Sequence, residues 1–411
     1  MFPHLLVFFF LSGLGYLCLF RGMDKERHSK VCALALNTIF GYEPRFSHNI
    51  IDALGSAEAV FELPSEELLR IFGPFTKFLG QINGSALEEA DRQYEKLTAE
   101  GIQIVGIYDD SYPGLLRDCP DAPVALYVRS ATDARELFGT RPAVSVVGTR
   151  DLSLYGREWC RRIVEAISQA PSRPAIVSGL AIGVDINAHL AALDFGLPTI
   201  GVLPVGIDDV YPRRHRTIAE RMAATPGCAL ITDYPPGTSP VAFNFLRRNR
   251  IIAGLSQATV LVESKAKGGG MMTARLAAGY GREVAALPGR IDDTRSQGCN
   301  LLLREKVAEP VVSLATLPQQ LGLGAYNLRR KEGLESAVRG RLDGELPPQE
   351  VDIAVRLALA VKRTRGICFD ELSAGMELEY SEICRYASLL ESEGFIGIDL
   401  LQRCSINTNF K

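Results

Sequence analysis

Six short, almost continuously apolar runs set what this chain can fold into. They cover residues 143–147, 175–177, 199–203, 229–232, 259–262 and 283–287. Helix-length stretches separate them, among them 156–168 and 184–195. Strands alternating with helices build βαβ units around a parallel sheet. Strands covered on both faces read as unbroken apolar runs. The fold class expected is therefore α/β, an extended Rossmann-like parallel sheet over residues 101–315.

The flanks have a different rhythm. At 411 residues the chain is long enough for two or three domains. Over residues 23–100, Leu34, Leu36, Ile39 and Phe40, then Ile50, Ile51 and Leu54, fall at helical spacing. Gly41, Gly55, Pro64, Gly73 and Gly84 break the segment into short helices, and a small N-terminal helical domain is expected. Its balance from 24 to 100 is acidic, 8 Lys/Arg against 13 Asp/Glu. Residues 316–350 read as a linker. Residues 351–411 read as a winged-helix-like domain, with helices over 351–361, 369–376 and 379–391 and a strand over 395–401. It carries 7 Lys/Arg against 9 Asp/Glu, which argues for a protein-interaction or structural role there over duplex binding.

Residues 1–20 contain no Asp, Glu, Lys or Arg, and about 20 apolar residues can span a bilayer. No basic stretch precedes the run and no small-residue cleavage site follows it, as a signal peptide would need. Met23 opens a polar segment that reads as an ordinary cytoplasmic start. Residues 1–22 are accordingly read as a misassigned start, with a membrane anchor as the alternative.

Composition excludes several chemistries. The nine cysteines are scattered with no C-x-x-C, so a zinc ribbon, a thioredoxin-like site and a disulfide framework are not indicated. No metal site is expected, and no Ser-His-Asp set or paired carboxylates stand out. His189 and Asp185 read as a buried histidine and a helix-start residue. No catalytic residue and no cofactor is assigned.

Chemistry concentrates in Gly-rich loops that follow the strands. These are Val147-Gly-Thr-Arg150, Ser178-Gly-Leu-Ala-Ile-Gly-Val-Asp185, the stretch from Gly206 to Arg214, and Lys265-Ala-Lys-Gly-Gly-Gly-Met-Met-Thr-Ala274. Glycine lets backbone approach a ligand closely, and the amides of the helix that follows point at anions. In open α/β sheets such loops gather at the carboxyl ends of the strands. None matches G-x-G-x-x-G or the P-loop, so the usual dinucleotide and NTP fingerprints are missing. Cations keep these loops company. Residues 141–300 hold 19 Lys/Arg against 13 Asp/Glu, a surplus of six in a chain whose net charge is −3. Arg247-Arg-Asn-Arg250 is a basic cluster after Pro235-Pro-Gly237.

These blocks, in this order, resemble the DprA/Smf family of DNA-processing proteins. The matching blocks are Val146-Val-Gly-Thr-Arg150, Ser178–His189, residues 199–212, Pro235-Pro-Gly237, Arg248–Ser256, Gly268–Ala274 and Gly281–Gly289. The resemblance implies a Rossmann-like domain that binds single-stranded DNA without catalysing a reaction on it. It also implies a homodimer that protects incoming strands and loads the RecA recombinase in natural transformation. The residues it assigns to DNA are Arg150, Ser178, Gly179, Arg213, Arg248, Asn249, Arg250, Lys267 and Gly269. Tyr155, Phe243 and Phe245 are the aromatic candidates for base stacking. Departures from the family pattern include Phe245-Leu246 where Phe-Pro is usual and Gly268-Gly-Gly where Ser-Gly-Ser is usual. The rival reading is a Rossmann-like nucleotide-processing hydrolase. It needs a glutamate next to the Gly-Gly-x-x-Thr loop, where Ala274-Arg275 stands instead.

Overall fold

The computed structural model describes residues 24–41, 43–73, 76–139, 141–324, 334–364, 366–399 and 402–406. The 1–22 segment lies outside them. They divide into two compact units, with the boundary after Leu323.

The first unit is built on a nine-stranded sheet in the order β1-β2-β6-β5-β4-β3-β7-β8-β9. Seven strands are parallel: β3 (Ala143–Val147), β4 (Ala175–Ser178), β5 (Thr199–Val202), β6 (Ala229–Thr232), β7 (Ala258–Leu261), β8 (Glu283–Ala286) and the two-residue β9 (Glu309–Pro310). From β3 the chain winds outward through β4, β5 and β6, then crosses back so that β7 pairs with β3 on its other side. The order reverses there, and a crevice opens at the carboxyl ends of β3, β4 and β7. β3 to β7 are buried along their whole length because helices cover both faces.

β1 (Ile102–Gly106) and β2 (Ala125–Arg129) extend one edge as an antiparallel pair, with β2 on β6. Neither was expected from the sequence as a strand. Each is short and ends in Gly or Arg, and each owes its burial to helices packed on it from earlier in the chain. The helices Lys25–Phe40 and Gly84–Ala99 supply that cover, and Tyr127 donates its hydroxyl to Gln93. The segment expected as a separate helical domain thus shares one apolar cluster with the sheet. Leu34, Leu36 and Phe40 lie in it together with Leu126, Tyr127 and Val128. Phe40 packs edge-on against Phe46 and Phe78, which closes the helical end of that cluster.

The stretch read as a linker, 316–350, carries the helices Leu317–Gln320 and Leu334–Leu342. Leu317 and Leu321 seal the first unit, while Leu334, Val338 and Leu342, four residues apart, bury in the second. Residues 325–333 lie outside the described set. In the second unit the helices Pro348–Arg363, Phe369–Met376 and Tyr380–Ser392 pack against a small antiparallel sheet. Its order is β10 (Ile367–Cys368), β12 (Arg403–Ile406), β11 (Ile396–Ile398). The one strand expected over 395–401 is a hairpin arm that returns along β12. No helix among the described residues is long and apolar enough to cross a membrane.

One buried ion pair ties these layers. Arg250, on the helix Ala242–Leu255, donates to the Asp233 carboxylate after β6 and to the Asp121 carbonyl. Tyr280 donates to the Asp121 carboxylate (2.7 Å), and Asn37 of the first helix donates to the Asp233 carbonyl (2.7 Å). Removing one partner of a buried pair strands the other charge, at about 3–5 kcal/mol. Asp233→Ala should therefore lower unfolding stability by about 3–5 kcal/mol, read as a drop in the urea midpoint.

Candidate nucleic-acid interface

Three loops meet at the crevice because glycines allow their backbones to touch. The Thr149 amide donates to the Glu263 carbonyl after β7 (2.7 Å), and the Val184 amide donates to the Thr149 carbonyl (3.1 Å). A Cβ on Gly148 would lie 2.6 Å from the Glu263 carbonyl oxygen, and one on Gly270 would lie 2.9 Å from the Gly148 Cα. Gly183, at φ +88°, packs on Thr149 and Arg150 in a conformation that glycine tolerates.

The helix Ala242–Leu255 projects Arg248 into this junction. The guanidinium lies across the Cα of Gly179 in the space any Cβ would take. Arg248 is 3% exposed. Its nearest carboxylate is Asp185, at 3.9 Å from Nη1, beyond hydrogen-bond distance. Nε and Nη1 have no hydrogen-bond partner. Burial lowers its pKa to about 10, Asp185 opposes the shift, and nearby Arg150 adds to it. The Asp185 carboxylate accepts from the Gly179 amide (3.2 Å). Burial raises its pKa, with Arg248 pulling the other way. A buried guanidinium with unused donors, next to a glycine amide loop, is an environment that an oxyanion completes.

Arg150 leaves the first loop at the surface, its guanidinium 4.9 Å from the centre of the Phe245 ring. Phe245 meets Tyr211 edge-on at 5.3 Å, so the loop after β5 joins the same wall. Arg213 is exposed two residues further on, and Lys267 and Gly269 are exposed on the loop after β7. Among the described residues no carboxylate pairs with Arg150, Arg213 or Lys267. Phe243 is 55% exposed on the first turn of the same helix. Tyr155 donates its hydroxyl to the Pro288 carbonyl.

The other assigned residues fall elsewhere. The Ser178 side chain is buried and donates to the Val146 carbonyl (2.7 Å), so only its backbone borders the crevice. Asn249 is buried. Arg250 points away into the Asp233 pair, because successive residues on a helix turn by about 100°. Asn249 and Arg250 are thus buried, so the run from Arg247 to Arg250 is not one basic surface, while Ser178 borders the crevice with its backbone, the part assigned to DNA. Arg247, beside them, donates to the Gly41 carbonyl.

Sequence reasoning missed Glu263. It is 1% exposed, and its carboxylate accepts from the Ser153 hydroxyl (2.5 Å) and the Ser153 amide (3.0 Å). Ser153 in turn caps the next helix at the Gly156 amide (2.9 Å). An acidic residue ending an apolar strand was the available signal. No cluster of His, Cys, Asp or Glu that could hold a metal ion occurs among the described residues.

A family model described as DNA recombination-mediator protein A matches residues 103–322. Protein Smf of Synechocystis sp. is 33% identical over 303 residues, covering 69% of this chain and 75% of that one. Protein Smf of Escherichia coli is 40% identical over 215 residues, covering 52% of this chain and 55% of its own length. The X-ray structure of DNA processing protein A from Streptococcus pneumoniae superposes with a TM-score of 0.51 at 33% identity. That match covers 60% of this chain and 85% of that one.

Behind the crevice, His189 is fully buried with Nδ1 2.7 Å from the Thr199 hydroxyl. Burial, with Arg248 and His215 nearby, lowers its pKa to about 3. It stays neutral in the fold while an unfolded histidine gains a proton near pH 6.5. Its contribution is present above that pH and is lost as pH falls toward 3, by up to about 1.4 kcal/mol per pH unit. His189→Gln should flatten the acid limb of the stability curve between these limits, measured by urea unfolding at stepped pH.

Proposed function

The chain belongs to the DNA recombination-mediator protein A family, DprA/Smf, and on that premise we propose that the crevice binds single-stranded DNA. The observation that carries this reading is Arg248, a buried guanidinium with two unused donor nitrogens beside the Gly179 loop. One phosphate set there would neutralise it and use its free donors. Arg150, Arg213 and Lys267 surround that point as exposed cations. Phe245, backed by Arg150 and Tyr211, offers the nearest aromatic wall. An electrostatic track beside aromatic side chains is how proteins hold single strands without reading their sequence.

The protein binds and does not cut. Two carboxylates at the crevice are turned inward, Glu263 onto Ser153 and Asp185 onto the Gly179 amide, where they hold loops. Thr273 likewise donates its hydroxyl to the Gly269 carbonyl within its helix. In this reading the chain acts in the cytoplasm in natural transformation and recombination, as a homodimer that protects incoming strands and loads RecA. The helices and three-stranded sheet of the second unit support a winged-helix assignment. That module's acidic balance suits a protein partner.

Two substitutions test the site. Arg150→Ala and Lys267→Ala should each weaken single-strand binding and reduce the log–log salt slope by about 0.7, measured by fluorescence anisotropy. Slopes equal to wild type place the strand elsewhere. Gly179→Ala is a sharper probe. Its methyl group occupies the guanidinium position, and only the far end of a flexible side chain must yield. Affinity should fall about tenfold or more, one charge-assisted contact being worth about 1.5–3 kcal/mol, while the thermal midpoint stays close to wild type.

A further inference from the structure

A groove of about 590 Å³ runs from the crevice along the helix Gly269–Gly279. Lys267, Gly269, Met272, Arg275 and Leu276 line one side and Leu246 the other. Met272 is 38% and Leu246 46% exposed. Residues 269, 272, 275 and 276 share a face at helical spacing. Arg275 sits about 9 Å along the axis from Gly269, at 1.5 Å per residue. The groove therefore has a cation at each end and apolar side chains between. Arg275 reaches Glu305 at 2.7 Å, but both side chains are substantially exposed, which makes the pair weak.

We infer that this groove is a second subsite, taking the continuation of a single DNA strand as it leaves the crevice. Its phosphates lie at Lys267 and Arg275 and its bases against Met272 and Leu246. The inference rests on the proposed crevice function. Continuity selects this occupant. Gly270, in the first turn of this helix, packs on Gly148, so a strand held by Arg248 and Arg150 passes Lys267 and Gly269 into the groove. The alternation of cation and apolar floor matches a polyanion carrying flat apolar bases.

The test is anisotropy of the full chain with labelled strands of about 4 and about 16 nucleotides, spanning the usual range for single-strand sites. Arg275→Ala and Met272→Asp should leave the short strand's affinity unchanged and weaken the long strand several-fold. Arg275→Ala should also lower the long strand's salt slope by about 0.7. Equal effects on both lengths, or none on either, overturn the inference. So does a change in oligomeric state by light scattering without a length-dependent loss, which assigns the groove to a protein contact. Arg150→Ala separates the two levels. If it weakens both lengths while the groove variants weaken neither, the subsite fails and the crevice stands. If wild type binds neither length, the crevice reading itself has failed.

Discussion

The arrangement of the site depends on one cost, the burial of an arginine without full neutralisation. A guanidinium out of water is held only where its surroundings return most of the lost solvation. Asp185 does this in part, from 3.9 Å, while spending a carboxylate oxygen on the Gly179 amide. Gly179 must lack a Cβ for Arg248 to lie where it does, and Gly148, Gly183 and Gly270 must let the three loops close around it. The glycines are thus one device. They bring backbone amides and a buried cation to one point and leave the last part of the compensation to a ligand.

The same helix serves fold and function with neighbouring residues. Arg247 reaches the N-terminal helices at Gly41, Arg248 enters the crevice, and Arg250 fastens Asp233 and Asp121. Binding at Arg248 is therefore mechanically close to the contact that joins the helical segment to the sheet. The helical segment, with its own aromatic cluster, also shares one apolar core with the sheet. Glu263 plays the corresponding part on the other side of the switch point, where its inward carboxylate sets the entry to the first helix through Ser153.

Much of this was legible in the sequence, for physical reasons that can be named. Parallel strands covered on both faces must be continuously apolar, and β3 and β6 were located to the residue. The loop glycines announced close backbone approach. β1 and β2 were not legible, because their burial comes from helices elsewhere in the chain. The helix Leu334–Leu342 was hidden among polar residues that masked its Leu334, Val338, Leu342 stripe. The arginines were legible as a cluster and not as individuals. Four adjacent helical positions face four directions, and only the packed fold shows that Arg248 faces the Gly179 loop and Arg250 the Asp233 pair.

The most direct measurement is the affinity of the wild-type chain for a labelled single strand and for a duplex of the same sequence, followed from low to physiological salt. The account requires tighter binding to the single strand, weakening steadily with salt as phosphate contacts release counterions. Equal affinity for the duplex, or single-strand binding indifferent to salt, would contradict a crevice built to complete Arg248 with a phosphate.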